Sequence, residues 1–158
     1  MRHDILSRSP RILTAVALVL AALLVPAVAS AQSGGGVRAG VSAEPDQFYF
    51  GGHFDTGYLV ERLSFRPNAE LGLGNDITTV AANFEFAYWF PLPDRPWNIY
   101  AGGGPSLNIY RYNETRTDTE PGFNLLGGIA HDSGLFAEVK IGLIHSPEVK
   151  FGIGYTWR

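Results

Sequence analysis

The sequence predicts an all-β protein, an eight-stranded antiparallel up-and-down transmembrane β-barrel. Three observations predict this fold class. Large apolar side chains alternate with small or polar ones along most of the chain, which is the period of a β-strand. Short turn-forming segments separate the alternating runs and favour antiparallel pairing of successive strands. The bulky face is too large for the lumen of a small barrel, so we expect it to face lipid.

The N-terminal segment 1–31 is predicted to be a secretory signal peptide. It has a basic start, an uninterrupted apolar run over 15–25, and the small residues Ala29-Ser30-Ala31 at a cleavage site. An uncleaved transmembrane helix is the alternative, and the shortness of the apolar run disfavours it. Residues 32–36 are predicted to form a short flexible leader, and residues 37–158 the barrel domain.

The barrel strands are predicted from alternation and are bounded by turn chemistry. "GND" at 74–76 indicates a tight hairpin, and "PLPDRP" at 91–96 carries three prolines, which cannot donate a backbone hydrogen bond to a strand ladder. The segment 113–121 is predicted to be the longest polar loop, and 57–62 is the least clear connection, with room for one helical turn. The predicted strands are 37–43, 47–56, 63–74, 77–90, 97–112, 122–131, 135–145 and 148–158.

The last strand shows the apolar face most clearly. Along "EVKFGIGYTWR" every second residue is large and apolar, and glycine or polar residues lie between. More than twenty bulky side chains share this face along the chain, whereas ten glycines share the other, and only the glycine-rich face fits a narrow lumen. The predicted lipid-facing and assembly residues of this strand are Phe151, Ile153, Tyr155 and Trp157.

The opposite face is polar and nearly balanced in charge. This balance suits an internal ion-pair network, because an unpaired buried charge is costly, and it does not suit an open water channel. The predicted interior network comprises Arg38, His53, Asp55, Arg66, Glu70, Glu85, Glu138, Lys140, Lys150 and Arg158.

Aromatic residues near the strand ends predict two interfacial girdles. The alternative is the aromatic core of a soluble β-sandwich. One girdle is predicted from Phe48, Tyr49, Tyr110 and Tyr112, and the other from Tyr88, Trp89, Phe90, Trp97, Tyr155 and Trp157.

Composition excludes several classes of function. After residue 31 there are 9 Lys and Arg against 14 Asp and Glu, without a basic stripe, so no nucleic-acid partner is expected. The chain has no cysteine, so the fold must hold without disulfides. Four histidines without metal-ligand spacing predict no metal site, and we expect no cofactor.

At this point the chain resembles the small outer-membrane β-barrels of Gram-negative bacteria, the OmpA/OmpX-like eight-stranded barrels. The resemblance spans 37–158 and is carried by the alternation and by "FGIGYTW", whose Trp157 occupies the aromatic position read by the barrel-assembly machinery. Arg158 after this tryptophan departs from the family pattern. The resemblance implies location in the outer membrane, with outer-membrane lipids and the assembly machinery as partners; we expect a monomer.

The resemblance also implies which connections lie outside the cell. Both termini would be periplasmic, so the outer loops would be 43–47, 74–76, 113–121 and 145–148. These loops are short for the family, which disfavours an adhesin or receptor that depends on large loops.

Two groups of residues suggest chemistry, and structural roles are favoured for both. His53 and Asp55 lie two apart on one strand face, the spacing of a proton-transfer pair. The run His131-Asp132-Ser133, with Glu138 after it, has the local spacing of an outer-membrane deacylase site, but 131–134 is predicted to be a tight turn. We therefore expect no enzyme.

The sequence thus predicts an outer-membrane barrel with a structural, envelope-integrity or surface-interaction role and no open pore. Two alternatives stay open at this stage. One is a soluble periplasmic binding protein with a lipocalin-like barrel, and the other is a lipid-modifying outer-membrane enzyme.

Overall fold

The computed structural model describes residues 33–112 and 115–158, and every pair of neighbouring strands in them is antiparallel. The predicted signal peptide, 1–31, lies outside the described residues and stays a prediction. The strands are β1 (Gly34–Ala43), β2 (Gln47–Asp55), β3 (Tyr58–Val60), β4 (Leu63–Leu73), β5 (Ile77–Pro91), β6 (Trp97–Tyr112), β7 (Arg116–His131), β8 (Leu135–Ile144) and β9 (Val149–Trp157).

The strands close into one barrel in chain order. β9 returns to pair with β1, from Gly35 opposite Trp157 to Ala43 opposite Val149. The three-residue β3 continues the hairpin between β2 and β4 after Gly57, whose φ of 70° is the left-handed conformation that glycine tolerates. The predicted fold class, eight long strands in an up-and-down barrel, is confirmed.

Three predicted boundaries differ from the structure. β1 begins at Gly34, so residues 34–36 of the predicted leader pair with β2 and β9. β7 begins at Arg116, so most of the predicted loop 113–121 is strand and pairs with β6. This part of β7 is polar, and the sequence pattern of a half-buried strand is therefore missing from it. Residues 58–60 form β3 rather than a helical turn.

The outer wall of the barrel is apolar, and its lumen is polar. In β9, Phe151 is 57% exposed and Ile153 65%, whereas the alternating Lys150 and Thr156 are only 6% and 5% exposed. The same alternation runs along every long strand. No helix in the described residues is long and apolar enough to cross a membrane.

Three aromatic residues that we assigned to the girdles point into the lumen instead. Tyr49, Trp89 and Tyr110 are buried. Adjacent residues of a strand face opposite sides, so Tyr49 must point inward when Phe48 and Phe50 point outward. The girdle prediction was therefore wrong for these three residues, because a position near a strand end does not decide which side of the barrel a ring faces. Tyr112 is exposed but shares the inward strand face with Tyr110, and it lies at the distal rim against Arg116. The other girdle residues are exposed on the outer wall: Phe48, Tyr88, Phe90, Trp97, Tyr155 and Trp157.

Glycine makes room for these inward rings. Gly40 and Gly152 are cross-strand partners in β1 and β9, and the hydroxyl of Tyr49 lies against both of them. A Cβ atom built on Gly152 would collide with the hydroxyl oxygen of Tyr49. The glycines on the inner face are therefore part of how an eight-stranded lumen holds large side chains.

We expect Gly152→Ala to destabilise the barrel by about 1–3 kcal/mol, because the added methyl group overpacks the lumen against Tyr49. Urea unfolding in lipid vesicles, followed by tryptophan fluorescence, measures the change. Gly127→Ala is the matched control, since a Cβ there would meet only the Tyr100 carbonyl oxygen, at 3.9 Å. Equal unfolding midpoints for the two variants would contradict this packing.

Candidate functional site

The candidate site is the charged lumen. Of the ten residues predicted for the interior network, nine lie buried inside the barrel. The tenth, Arg158, lies at the rim with 38% of its side chain exposed. We call the end of the barrel where β1 begins and β9 ends the proximal end, and the opposite end the distal end. The nine buried residues are Arg38, His53, Asp55, Arg66, Glu70, Glu85, Glu138, Lys140 and Lys150.

Two cations and three carboxylates form the centre of the lumen, the central cluster. The Nζ atom of Lys140 lies 2.7 Å from Glu85, 3.1 Å from Glu70 and 3.7 Å from Glu138. Nη1 of Arg38 contacts the same carboxylates at 3.9, 3.4 and 3.2 Å, in the same order. Each carboxylate therefore lies between two cations, although the three come from different strands.

Lys150 and Arg66 extend the central cluster. The ammonium of Lys150 forms an ion pair with Glu70 and lies over the ring of Tyr49. Arg66 contacts Glu138 at 3.2 Å, and Glu138 also accepts a hydrogen bond of 2.8 Å from the hydroxyl of Tyr100. Charge-assisted contacts of this kind are stronger than neutral ones.

Aromatic rings surround the guanidinium group of Arg66. Its Cζ lies 4.7 Å from the ring centre of Tyr100, 5.2 Å from that of Phe136 and 5.8 Å from that of Trp89. Arginine stacks well on aromatic faces because its guanidinium is planar and weakly hydrated. Sequence reasoning did not assign Tyr100 and Phe136 to the site. Each lies two residues from a residue on the inward face, Gly102 on β6 and Glu138 on β8, and this spacing could have placed both rings in the lumen.

The proximal mouth is closed by a second ion-pair group. Asp55 lies 3.7 Å from Arg66 and 3.9 Å from Arg158, and it accepts a hydrogen bond of 2.9 Å from the N–H of Gly57. The guanidinium of Arg158 lies over the ring of Trp89 at 5.9 Å. Arg158 thus contributes to the network from the rim rather than from the interior as predicted.

Three asparagine side chains form a chain of hydrogen bonds inside the barrel that ends on the central cluster. Asn124 donates to Asn83 at 3.0 Å, Asn83 donates to Asn68 at 2.8 Å, and Asn68 donates to Glu85 at 2.8 Å. This chain runs through β7, β5 and β4, and it satisfies amide groups that would be costly to bury alone.

The connection between β8 and β9 folds into the distal mouth. The carbonyl oxygen of His145 accepts hydrogen bonds from Asn108 at 3.0 Å and from Tyr110 at 2.9 Å. The hydroxyls of Ser146 and Ser106 are 3.1 Å apart. The distal mouth is therefore narrowed by backbone and side chains of this connection.

The lumen balances its charges. Four buried cations, Arg38, Arg66, Lys140 and Lys150, face four buried carboxylates. Removing charges from water is offset only when each has partners of opposite sign in good geometry. Each of these eight groups has at least one partner of opposite sign within 4.0 Å.

The candidate proton-transfer pair is not formed. Nε2 of His53 lies 2.9 Å from the hydroxyl of Thr156, whereas Asp55 is engaged by Gly57 and the arginines. The ring of His53 packs edge-on against Phe136. The contacts of His53 inside the barrel are therefore structural.

The candidate deacylase residues do not form one site, because Glu138 has different contacts from His131 and Ser133. Nδ1 of His131 lies 2.8 Å from the hydroxyl of Ser133 and accepts the N–H of Ser133 at 3.1 Å, which closes the turn after β7. Glu138 lies in the lumen with Arg38, Arg66 and Tyr100. Among the described residues no group of three or more His, Cys, Asp or Glu could hold a metal ion.

A closed eight-stranded barrel with an apolar outer wall and a polar lumen defines the class of transmembrane β-barrels. Solved structures with this fold include the following two. One is the crystal structure of Neisserial surface protein A (NspA), with a TM-score of 0.63 and 14% identity over 78% of this chain and 94% of that one. The other is the N-terminal β-barrel domain of Pseudomonas aeruginosa OprF, with a TM-score of 0.58 and 13% identity over 79% and 96%.

At these identities the similarity concerns the fold, and it confirms the eight-stranded barrel that the resemblance predicted. No protein-family model and no curated protein matches the sequence.

Proposed function

We propose that the chain is a monomeric integral protein of the bacterial outer membrane with a structural, envelope-integrity or surface-interaction role and no open pore. The predicted signal peptide, 1–31, would export it. The single observation that carries the proposal is the combination of an apolar outer wall with a lumen filled by balanced ion pairs. The apolar outer wall needs lipid around it, and the ion pairs in the lumen block the passage of water.

The structure offers little support for the soluble lipocalin-like alternative. Such a barrel needs an apolar cavity inside and a polar surface outside. Here the bulky residues Phe50, Phe86 and Ile141 are 43–49% exposed on the outer wall, and the lumen holds the buried charges. Burying this wall in lipid removes the large exposed apolar surface that a soluble monomer rarely carries.

The exposed side chains of β9 support assembly as an outer-membrane barrel. Phe151, Ile153, Tyr155 and Trp157 all face outward along the strand that closes the barrel. We propose that the barrel-assembly machinery reads this face, and that Arg158 turns inward to Asp55 without interrupting it.

Cell fractionation followed by gel mobility tests the location. We expect the protein in the outer-membrane fraction, with different mobility in boiled and unboiled samples because the closed barrel resists the detergent until heated. Recovery from the soluble periplasm without detergent would refute the proposal.

Conductance across planar bilayers tests the absence of a pore. The purified barrel should give no steady open-channel current. The double variant Lys140→Ala with Glu85→Ala removes both members of the 2.7 Å pair and keeps the net charge, so it should raise the frequency of channel events. Steady current through the unmodified barrel would show that the ion-pair network does not close the lumen.

A further inference from the structure

On the lipid-facing wall of the described strands, the outward polar side chains of the distal end form one patch. Among the described residues, outward side chains of the long strands are apolar or aromatic, or belong to glycine or proline, with few exceptions. His131 is the exception at the proximal end. The others lie together at the distal ends of β5, β6 and β7, and we call them the distal patch: Thr78, Arg111, Thr117 and Thr119.

Strand pairing places the members of the distal patch side by side. Arg111 lies opposite Thr78 on β5 and opposite Thr117 on β7. Thr119 lies one position lower on the same face, opposite Ile109. Cross-strand partners in an antiparallel sheet have Cβ atoms about 4.5–5.5 Å apart, so these side chains can bind one group together.

The wall immediately below the distal patch is apolar. The next outward rows contain Val80 with Ile109, then Leu107 with Pro121, and then Phe123. The patch therefore lies where the outer wall changes from apolar to polar, which is the level of lipid headgroups.

Arg111 is the only charged side chain on the outward face of the described strands. It is exposed, and it has no ion pair within 33–112 and 115–158, whereas Arg116 on the same hairpin pairs with Asp118 at 2.8 Å. Guanidinium groups bind phosphate through paired N–H donors, and threonine hydroxyls add further donors.

We propose that the distal patch binds the phosphate group of a membrane lipid whose acyl chains lie on the apolar wall below. The proposal rests on the membrane location proposed above. Arg111 supplies the charge complementary to the phosphate, and Thr78 and Thr117 supply hydrogen bonds from either side. A lipid is the favoured occupant because one lipid molecule carries both a phosphate that matches the cation and acyl chains that match the apolar wall below it.

Native mass spectrometry of the folded, detergent-solubilised protein titrated with phosphatidylglycerol tests the site. We expect Arg111→Gln to weaken binding of the first lipid by about fivefold, the effect of one arginine near an anionic membrane surface. Arg111→Lys should retain much of the affinity. Arg116→Gln removes an equal charge from the other face of the hairpin, so it should leave the affinity unchanged.

Three results would overturn the proposal. Unchanged affinity in Arg111→Gln, or equal losses in Arg111→Gln and Arg116→Gln, would show that Arg111 is not a specific contact. Displacement of the lipid by excess inorganic phosphate would indicate a free-phosphate site instead. Fractionation and the heat-dependent mobility of the same proteins separate this failure from failure of the membrane assignment, because only the latter moves the unmodified protein to the soluble periplasm.

Discussion

Glu70→Gln is expected to lower the free energy of unfolding by about 3–5 kcal/mol, the cost of breaking a buried ion pair by removing one partner. Glu70 is 3% exposed and serves three cations: Arg38 at 3.4 Å, Lys140 at 3.1 Å, and Lys150. The amide keeps the shape of the side chain but removes its charge. The lumen is then left with an excess positive charge that water cannot reach.

Equilibrium unfolding of the refolded barrel in lipid vesicles measures this loss, with urea as denaturant. Asp118→Asn is the control, because its ion pair with Arg116 is at the surface and is worth only about 0–1 kcal/mol. Combining Glu70→Gln with Lys150→Gln should recover part of the loss, since the second change removes one of the unpaired cations. If Glu70→Gln unfolds at the same urea concentration as the unmodified protein, the central cluster does not stabilise the barrel.

Ile153→Lys is expected to cost about 2–4 kcal/mol, the penalty for a lysine at mid-bilayer depth on the lipid face of a barrel. Ile153 lies in the middle of β9, is 65% exposed, and is flanked on the same face by Phe151 and Tyr155. In the described strands, no carboxylate lies on the outward face to pair with a new ammonium. In a soluble protein the same substitution at an exposed site would have little effect.

The depth dependence of this penalty provides the control for Ile153→Lys. Val149 begins β9 at the distal end and shares the outward face, so Val149→Lys should cost only about 0–1 kcal/mol because its ammonium reaches the interface. Both variants are compared in the same vesicles by their urea unfolding curves. Equal costs at the two positions, or none at either, would mean that this face of β9 does not lie in lipid.

The two-residue alternation in the sequence was sufficient to predict the barrel and its lipid-facing wall. Every outward residue predicted on β9, from Phe151 to Trp157, is exposed on the outer wall. The reason is geometric: successive strand residues face opposite sides, and an eight-stranded lumen accepts only the small and polar set. Glycine at positions such as 40 and 152 marked the inner face for the same reason.

Alternation did not predict that residues 116–120 belong to a strand. These residues lie beyond the apolar belt of the barrel, so they have no apolar face, and they are a strand because they pair with β6. Among the inward rings, Trp89 was predicted in a girdle and Tyr100 was not assigned to either face. Trp89 and Tyr100 contact each other across the β5–β6 pair and lie against Arg66, and their contribution depends on which rings face each other inside.

The sequence by itself therefore determined the strand number, the two faces and the balance of charge on the inner face, since these depend only on the order of residues along each strand. The tertiary structure alone decided which charges pair. Glu70, Lys140 and Arg38 come from β4, β8 and β1, and only the curvature and register of the closed barrel bring them together. Likewise, the register of β5, β6 and β7 places Arg111 between Thr78 and Thr117, although Thr78 is distant from both along the chain.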